Sequence, residues 1–460
     1  MTLARRLADY ALGLRFEDLP QDVVHEAERA LLDAIGCALA GADSDAAQIA
    51  LKVLSGLGSG GSSTVIGGGV RLQPHYAALA NGVALRFWDF NDCYGVPVGS
   101  ALSGSHPSDA IPVILAAGEQ EHIDGRQAIA AVVVAYEVSA RFVEAVTQRP
   151  LDARGWNQDS RGSFITPLLA GRIMGLTPEQ VENAVGICGC RDMILGIVDA
   201  HDEPYTMAKN LRFALSCHNG ILAALLAKEG FTGPARVLEG SKGFIEVMAG
   251  GDFDTGKLLW SGGDPFRILK TWYKPYPAVG RCHGHIDATL RLVRENNLQP
   301  EEIEEVRIRA SSRVVEHAGD AVKRIPHNKE SADHSAPYLT AVAIVDRKLG
   351  PDQFSPQKYS DGRVAMLIDR VVLEPDPAMD KFVAAAAVEI KARDGRTYAC
   401  RIDHPKGTAE NPMSDQDLVD KFSDLASRRL DPARINRVVD MIWRLDSLRD
   451  VSDIMRLLVC

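Results

Sequence analysis

Residues 89–109, DFNDCYGVPVGSALSGSHPSD, place Asp92 and His106 between two apolar segments. A carboxylate and an imidazole held this way suit proton transfer, one group moving a proton while the other orients or tunes it. A second polar group follows in PYTMAKNLRFALSC, where Lys209 and Arg212 stand three apart near a helix start and so share a face. Cations gathered at a helix start suit a carboxylate ligand. YKPYPAVGRCHGHIDATLRL adds Lys274, Arg281, His283 and His285, with His283 ahead of a helix carrying Asp287. NKESADHSAPYLTA then puts Asp333, His334 and Tyr338 before a strongly apolar helix. Together these types describe acid–base chemistry on an anion.

The elements that must position them are mostly helices. EAERALLDAIGCALAG, DAAQIALKVLSG, PHYAALANGVALRF, QAIAAVVVAYEVSARFVEAV and NGILAALLAKEG carry apolar residues at three- and four-residue spacing. Thr177-Pro178-Glu179-Gln180 combines an N-cap, a first-turn proline and a capping-box partner, and Gly175 and Gly230 fall where helices end. A helix is expected near Pro107, with His106 at or just before its start, where the helix dipole favours a neutral ring. After about residue 269 the pattern changes. EEVRIRA alternates, and AVEIKARDGRTYACRI reads as a hairpin turning at Asp394-Gly395. The expected architecture is therefore mainly α with an α+β second domain: a helical domain over 1–268, a smaller α+β lid over 269–405, and a helical return over 406–460. A cleft between the two bodies is the natural place for a ligand.

Two motifs do not fit their usual chemistry. GLGSGG, residues 56–61, matches G-x-G-x-x-G but follows a helical segment and opens no helix, so a bent strand or mobile connection is the better reading than a dinucleotide site. His283-Gly-His285 would put two imidazoles on one side of a strand, but no third ligand stands at a diagnostic spacing, and no metal is expected.

The balance of 51 basic against 61 acidic side chains, net -10, excludes the basic face of a nucleic-acid binder. No run is apolar enough for a membrane span, and MTLARRLADYALGLRF reads as a first helix rather than a signal peptide. Eight scattered cysteines, the closest being Cys188 and Cys190, form neither a zinc spacing nor a disulfide framework, which suits reduced thiols in the cytoplasm.

Six stretches in order carry a family resemblance: ERALLDAIGCALAGAD, DFND with HPSD after it, AKNLRFALSCHNGILAALLAKEGFTGP, KPYPAVGRCHGHIDA, ADHSAPYLTA and PKGTAENPMS. The chain resembles the MmgE/PrpD superfamily, which includes 2-methylcitrate dehydratase, cis-aconitate decarboxylase and iminodisuccinate epimerase. The resemblance implies a helical domain with a lid, a homodimer, and catalysis without metal or organic cofactor on a small polycarboxylate. It implies Asp92, His106, Lys209 and His283 as catalytic residues, with Asn157, Arg212, Lys274, Arg281 and Tyr338 around the substrate. Asn157 stands where the decarboxylases carry histidine, which favours the dehydratase branch and elimination of water from a β-hydroxy acid such as 2-methylcitrate. His106 or His283 would transfer the proton, Lys209 anchor charge, and Asp92 orient an imidazole or lysine; base and acid can be exchanged. Decarboxylation or epimerisation of a related polycarboxylate is the first alternative, and a non-catalytic polycarboxylate-binding scaffold the second. One departure bears on substrate identity: VPVGSALSGS is inserted between DFND and HPSD.

Overall fold

The computed structural model describes residues 1–98, 101–200, 203–260 and 263–460. Its larger core is helical, and small residues set how closely the helices pack. Gly41 ends the Gln21–Gly41 helix against the Pro74–Phe87 helix, where a Cβ would lie 1.9 Å from the Ala84 carbonyl oxygen. On its other side, Gly82 faces Ala214 of the Arg212–Lys228 helix, and a Cβ there would come within 2.9 Å of the Ala214 methyl. The Pro74–Phe87 helix is thus clamped between two neighbours at backbone distance, a contact that any larger side chain would open. This clamp fixes the point from which residues 88–93 leave the helix.

The helix signals act as their chemistry requires. Thr177 and Gln180 form a reciprocal capping box on Pro178–Gly189. Gly175 and Gly230 take positive φ values of 65° and 91°, the left-handed backbone that glycine adopts without strain. Residues Leu418, Phe422, Ala426, Ile435, Val438, Ile442 and Leu458 pack into the same core as the first helices. A buried ion pair of 2.7 Å between Lys421 and Asp33 joins the two ends of the chain.

A second core spans Ala278 to Ile402. Its four-stranded sheet runs Val371–Pro375, Ile303–Ala310, Ala386–Ala392, Thr397–Ile402, the first pair parallel and the others antiparallel. Inward residues are in register across it, Ile308 opposite Val388 and Ile390 opposite Tyr398. The His283–Glu295 and Ala336–Asp346 helices pack into this core.

Two local expectations change. The first body is not purely helical, because Ser59–Thr64 pairs with Arg71–Leu72, and Tyr94–Val98 with Ala101–Ser105. The second hairpin carries the VPVGSALSGS insertion, of which Gly99 and Ser100 lie outside the described residues. His283-Gly-His285 opens a helix instead of lying on a strand, so residues two apart diverge by about 200° rather than sharing a side. GLGSGG runs into the irregular Ser59–Thr64 strand and opens no helix. No helix among the described residues is long and apolar enough to cross a membrane.

Candidate active site

The polar residues converge on Asp89. The Pro74–Phe87 helix ends, Trp88 closes it, and Asp89 turns through a left-handed φ of 48°. A non-glycine residue in that region costs energy unless its surroundings hold it there. Lys274 Nζ donates to the Asp89 carboxylate at 2.5 Å and to its main-chain carbonyl at 2.8 Å. Lys209 Nζ reaches the other carboxylate oxygen at 3.2 Å, and Arg86 lies 3.6 Å away. Asp333 is the second anion, with Lys329 at 3.0 Å and Lys209 at 3.6 Å. His334 Nδ1 stands 2.5 Å from Asp333, and its Nε2 lies 3.6 Å from Asp89. All of these side chains are buried.

Main-chain bonds explain how such distant segments meet. Cys93 and Trp272 exchange N–H···O bonds of 2.7 and 2.8 Å, which sets Lys274 beside Asp89. The Val279 N–H donates to the Asp333 carbonyl at 2.9 Å and ties the segment before His283 to the Asp333-His334 pair.

The electrostatics follow from burial and counter-charge. Burial alone would raise the Asp89 carboxyl, but Lys274, Lys209 and Arg86 hold it well below the usual carboxylate range. Asp333 is likewise held down by Lys209 and Lys329 against the effect of its burial. Burial pulls Lys209 below the ordinary lysine value, offset by Asp333 and Asp89. Three carboxylates, Asp89, Asp333 and Asp109 (3.9 Å from Arg86), therefore face four cations, Arg86, Lys209, Lys274 and Lys329. An excess of positive charge in a buried cluster favours a polyanionic ligand.

His106 borders this cluster. Its Nδ1 lies 2.6 Å from the Asp92 carbonyl, an acceptor only, so Nδ1 carries the proton and Nε2 keeps its lone pair. That Nε2 makes no hydrogen bond among the described residues, and the ring is half-buried. Burial, then the charges of Arg86 and Lys274, push its pKa well below the ordinary value, so the ring is neutral. Asp92 orients it through the main chain. The Asp92 carboxylate instead accepts from Ser108 Oγ at 2.5 Å and from the Tyr136 hydroxyl, and burial raises it to about 6.

His283 is fully buried between Trp272 and Tyr276. Its Nε2 lies 3.2 Å from the Ala278 carbonyl, which leaves Nδ1 buried without a partner. Burial and Lys274 bring its pKa down to about 3.

The expected substrate-binding residues separate. Lys274 belongs to the Asp89 cluster. Arg281, half-buried, has no hydrogen bond or ion pair among the described residues. Asn157 caps the turn Gln158–Arg161 by accepting from the Asp159 N–H at 2.9 Å. Arg212 is already ion-paired, with Asp159 at 3.0 Å and Asp199 at 2.7 Å, so it braces the fold around the site rather than offering an open charge. Tyr338 is placed elsewhere. It is fully buried in the second core, donates to the Gln353 carbonyl and packs on Phe354 and Tyr359. An apolar helix carried it inward, where its hydroxyl found a main-chain acceptor.

Residues not singled out from sequence, Asp89, Arg86 and Lys329, complete the cluster with Asp333 and His334. Asp333 and His334 were visible as a polar pair ahead of an apolar helix. Nothing in the sequence separates Asp89 from Asp92 within one tetrapeptide. Ligand atoms of Asp89, Asp333 and His334 lie within 4.8 Å of one another, a spacing open to a metal ion. Lys209 Nζ already stands among them, however, within 3.2 to 3.6 Å of all three, and an ammonium there does the work of a cation. A groove of about 600 Å³ lies elsewhere, lined by Tyr10, Leu14, Trp260 and Phe266. It lacks the converging cations and neutral imidazoles, which leaves the Asp89 cluster as the candidate site.

Comparison with known proteins agrees with this architecture. The MmgE/PrpD N-terminal domain profile matches residues 5–255, and the MmgE/PrpD C-terminal domain profile matches residues 276–445. A cis-aconitate decarboxylase-like protein of Aspergillus oryzae is 27% identical over 98% of this chain and 96% of its own. The human cis-aconitate decarboxylase is 26% identical over 97% of this chain and 92% of its own. A mitochondrial 2-methylcitrate dehydratase of Yarrowia lipolytica is 21% identical over 94% of this chain and 85% of its own. With both halves of its fold matched and its polar residues gathered between them, the chain belongs to the MmgE/PrpD family.

Proposed function

We propose that the protein is a polycarboxylate lyase that eliminates water from a β-hydroxy di- or tricarboxylate, with 2-methylcitrate the leading candidate. The observation that carries this reading is His106, a neutral imidazole with Nδ1–H pinned to the Asp92 carbonyl and Nε2 free. A base in that state begins by taking a proton, as elimination requires. His106 Nε2 removes the proton beside a carboxylate, and the electron pair moves into that carboxylate as an aci-form. Lys209, backed by Asp89 and Asp333, stabilises this charge. The pair returns to form the alkene as the C–O bond breaks, and the imidazolium gives its proton to the departing hydroxyl, which leaves as water. Lys274 holds Asp89 in place, and Arg281 takes another carboxylate.

A second reading, decarboxylation, is favoured by the names of the relatives at 26 and 27% identity. It would start from a protonated donor, whereas the surroundings of His106 keep its ring neutral. NMR of purified protein with 2-methylcitrate, citrate, cis-aconitate and iminodisuccinate separates the readings. Alkene appearing from 2-methylcitrate with all its carboxylates retained is the expected result; loss of CO₂ from cis-aconitate without dehydration would replace it by the second reading.

A further inference from the structure

Lys209 is held short of its counter-ions. Its Nζ stands 3.2 Å from Asp89 and 3.6 Å from Asp333, whereas Lys274 and Lys329 close on the same two carboxylates at 2.5 and 3.0 Å. A bond between an ammonium and a carboxylate is best at about 2.8 Å, and a lysine stem is flexible enough to reach it. Something must keep Lys209 from settling on one acid. The aromatic side chain against it is Tyr205, which is 3% exposed.

Two ammoniums lie over the Tyr205 ring, Lys209 Nζ at 5.5 Å and Lys323 Nζ at 4.5 Å from its centre, and the ring meets the His334 imidazole edge-on at 5.0 Å. A buried aromatic face attracts a cation through its quadrupole, so the ring competes with the carboxylates for the Lys209 charge. The residue is fixed at both ends. Its hydroxyl donates to the Asp199 carbonyl at 3.2 Å, its N–H donates to Ser331 Oγ at 3.3 Å, and its carbonyl accepts from Asn328 Nδ2 at 2.8 Å.

These anchors come from both bodies. Asp199 is braced by Arg212 in the first, while Ser331 lies on the short helix Lys329–Ala332 of the second and Asn328 caps it. Asn210, the residue after Lys209, adds a bond of 2.9 Å to Glu330 of the same helix. Tyr205 and Asn210 therefore grip the second body on either side of Lys209.

We propose that Tyr205 is a positioning residue whose ring holds the Lys209 ammonium between Asp89 and Asp333, short of a full ion pair with either, so that its charge stays open to a substrate carboxylate. This rests on the polycarboxylate reading and deepens it. Without the ring, Lys209 closes on one acid, and the charge it can offer an aci-carboxylate falls. The role needs the aromatic face and not the hydroxyl, which separates Tyr205→Phe from Tyr205→Leu.

The test joins crystal structures of wild type, Tyr205→Phe and Tyr205→Leu to their turnover of 2-methylcitrate. In Tyr205→Leu, Lys209 Nζ should move to about 2.8 Å from one carboxylate, and kcat should fall at least about tenfold with KM within about threefold. Tyr205→Phe should keep the shared position of Lys209 and a kcat within about threefold of wild type. Should Tyr205→Leu fail to fold, Asn328→Asp decides: it still caps Ser331 but no longer donates to the Tyr205 carbonyl, and kcat should fall at least about threefold. An unmoved Lys209, an unchanged kcat, or equal losses from Phe and Leu would overturn the positioning role and leave the lyase reading standing. If wild type turns over no acid, the lyase reading falls, and the place of Lys209 in the Tyr205→Leu crystal still decides whether the ring holds it.

Discussion

Asp89→Asn should be the most destabilising single substitution at the site, lowering the unfolding free energy by about 3–5 kcal/mol. Asn keeps the shape of Asp and removes only the charge. Lys274 is then buried without a counter-charge, while Lys209 keeps only Asp333 at 3.6 Å and Arg86 only Asp109 at 3.9 Å. The penalty is that of leaving charges unpaired in a low-dielectric interior, more than the worth of any one bond. Chemical denaturation measures it directly. Replacing Lys274 by Met in the same background should recover part of the loss, because the two groups act as one unit and their effects are not additive. Equal losses from Lys274→Met with and without Asp89→Asn would show that the pair is not coupled.

Lys209→Ala should lower kcat by about 10²–10³-fold while leaving the fold largely intact. Its ammonium is the cation that reaches both Asp89 and Asp333, and its removal takes away the charge that meets the aci-carboxylate. Asp333 retains Lys329 at 3.0 Å, and Asp89 retains Lys274 at 2.5 Å, so neither carboxylate is left bare. A small amine added to the variant should restore part of the rate by entering the vacated space. A merely structural lysine would show a lowered melting temperature and no such rescue.

Much of the architecture is legible in the residues. The Pro74–Phe87 helix coincides with its apolar spacing and first-turn proline, and Thr177 caps the helix its sequence announces. The pairing of Ala386–Ala392 with Thr397–Ile402 follows from alternation and Asp394-Gly395, with Gly395 at a φ of 89°. The Tyr94–Val98 hairpin was not legible, since Pro97 and three glycines in and beside it resemble a loop.

At the site, the types of group were readable and their partners were not. Lys274 meets Asp89 across 185 residues, and Asp333 joins through a main-chain bond to Val279. Such pairings depend on how two cores dock, which no local pattern encodes. Asp89 is marked only by the left-handed turn that follows the helix, visible once the end of that helix is placed. Tyr338 shows the reverse error: a polar tip beside a polar pair, drawn inward by the apolar helix that carries it.

The most direct measurement is turnover of 2-methylcitrate by His106→Asn, beside the wild type, with melting temperatures recorded for both. Asn can still donate to the Asp92 carbonyl but offers no basic nitrogen to the substrate. The account predicts a loss of about 10²–10⁴-fold in kcat at an unchanged melting temperature. Dehydration by the variant at close to the wild-type rate would contradict it, because the free imidazole nitrogen would then take no part in the reaction.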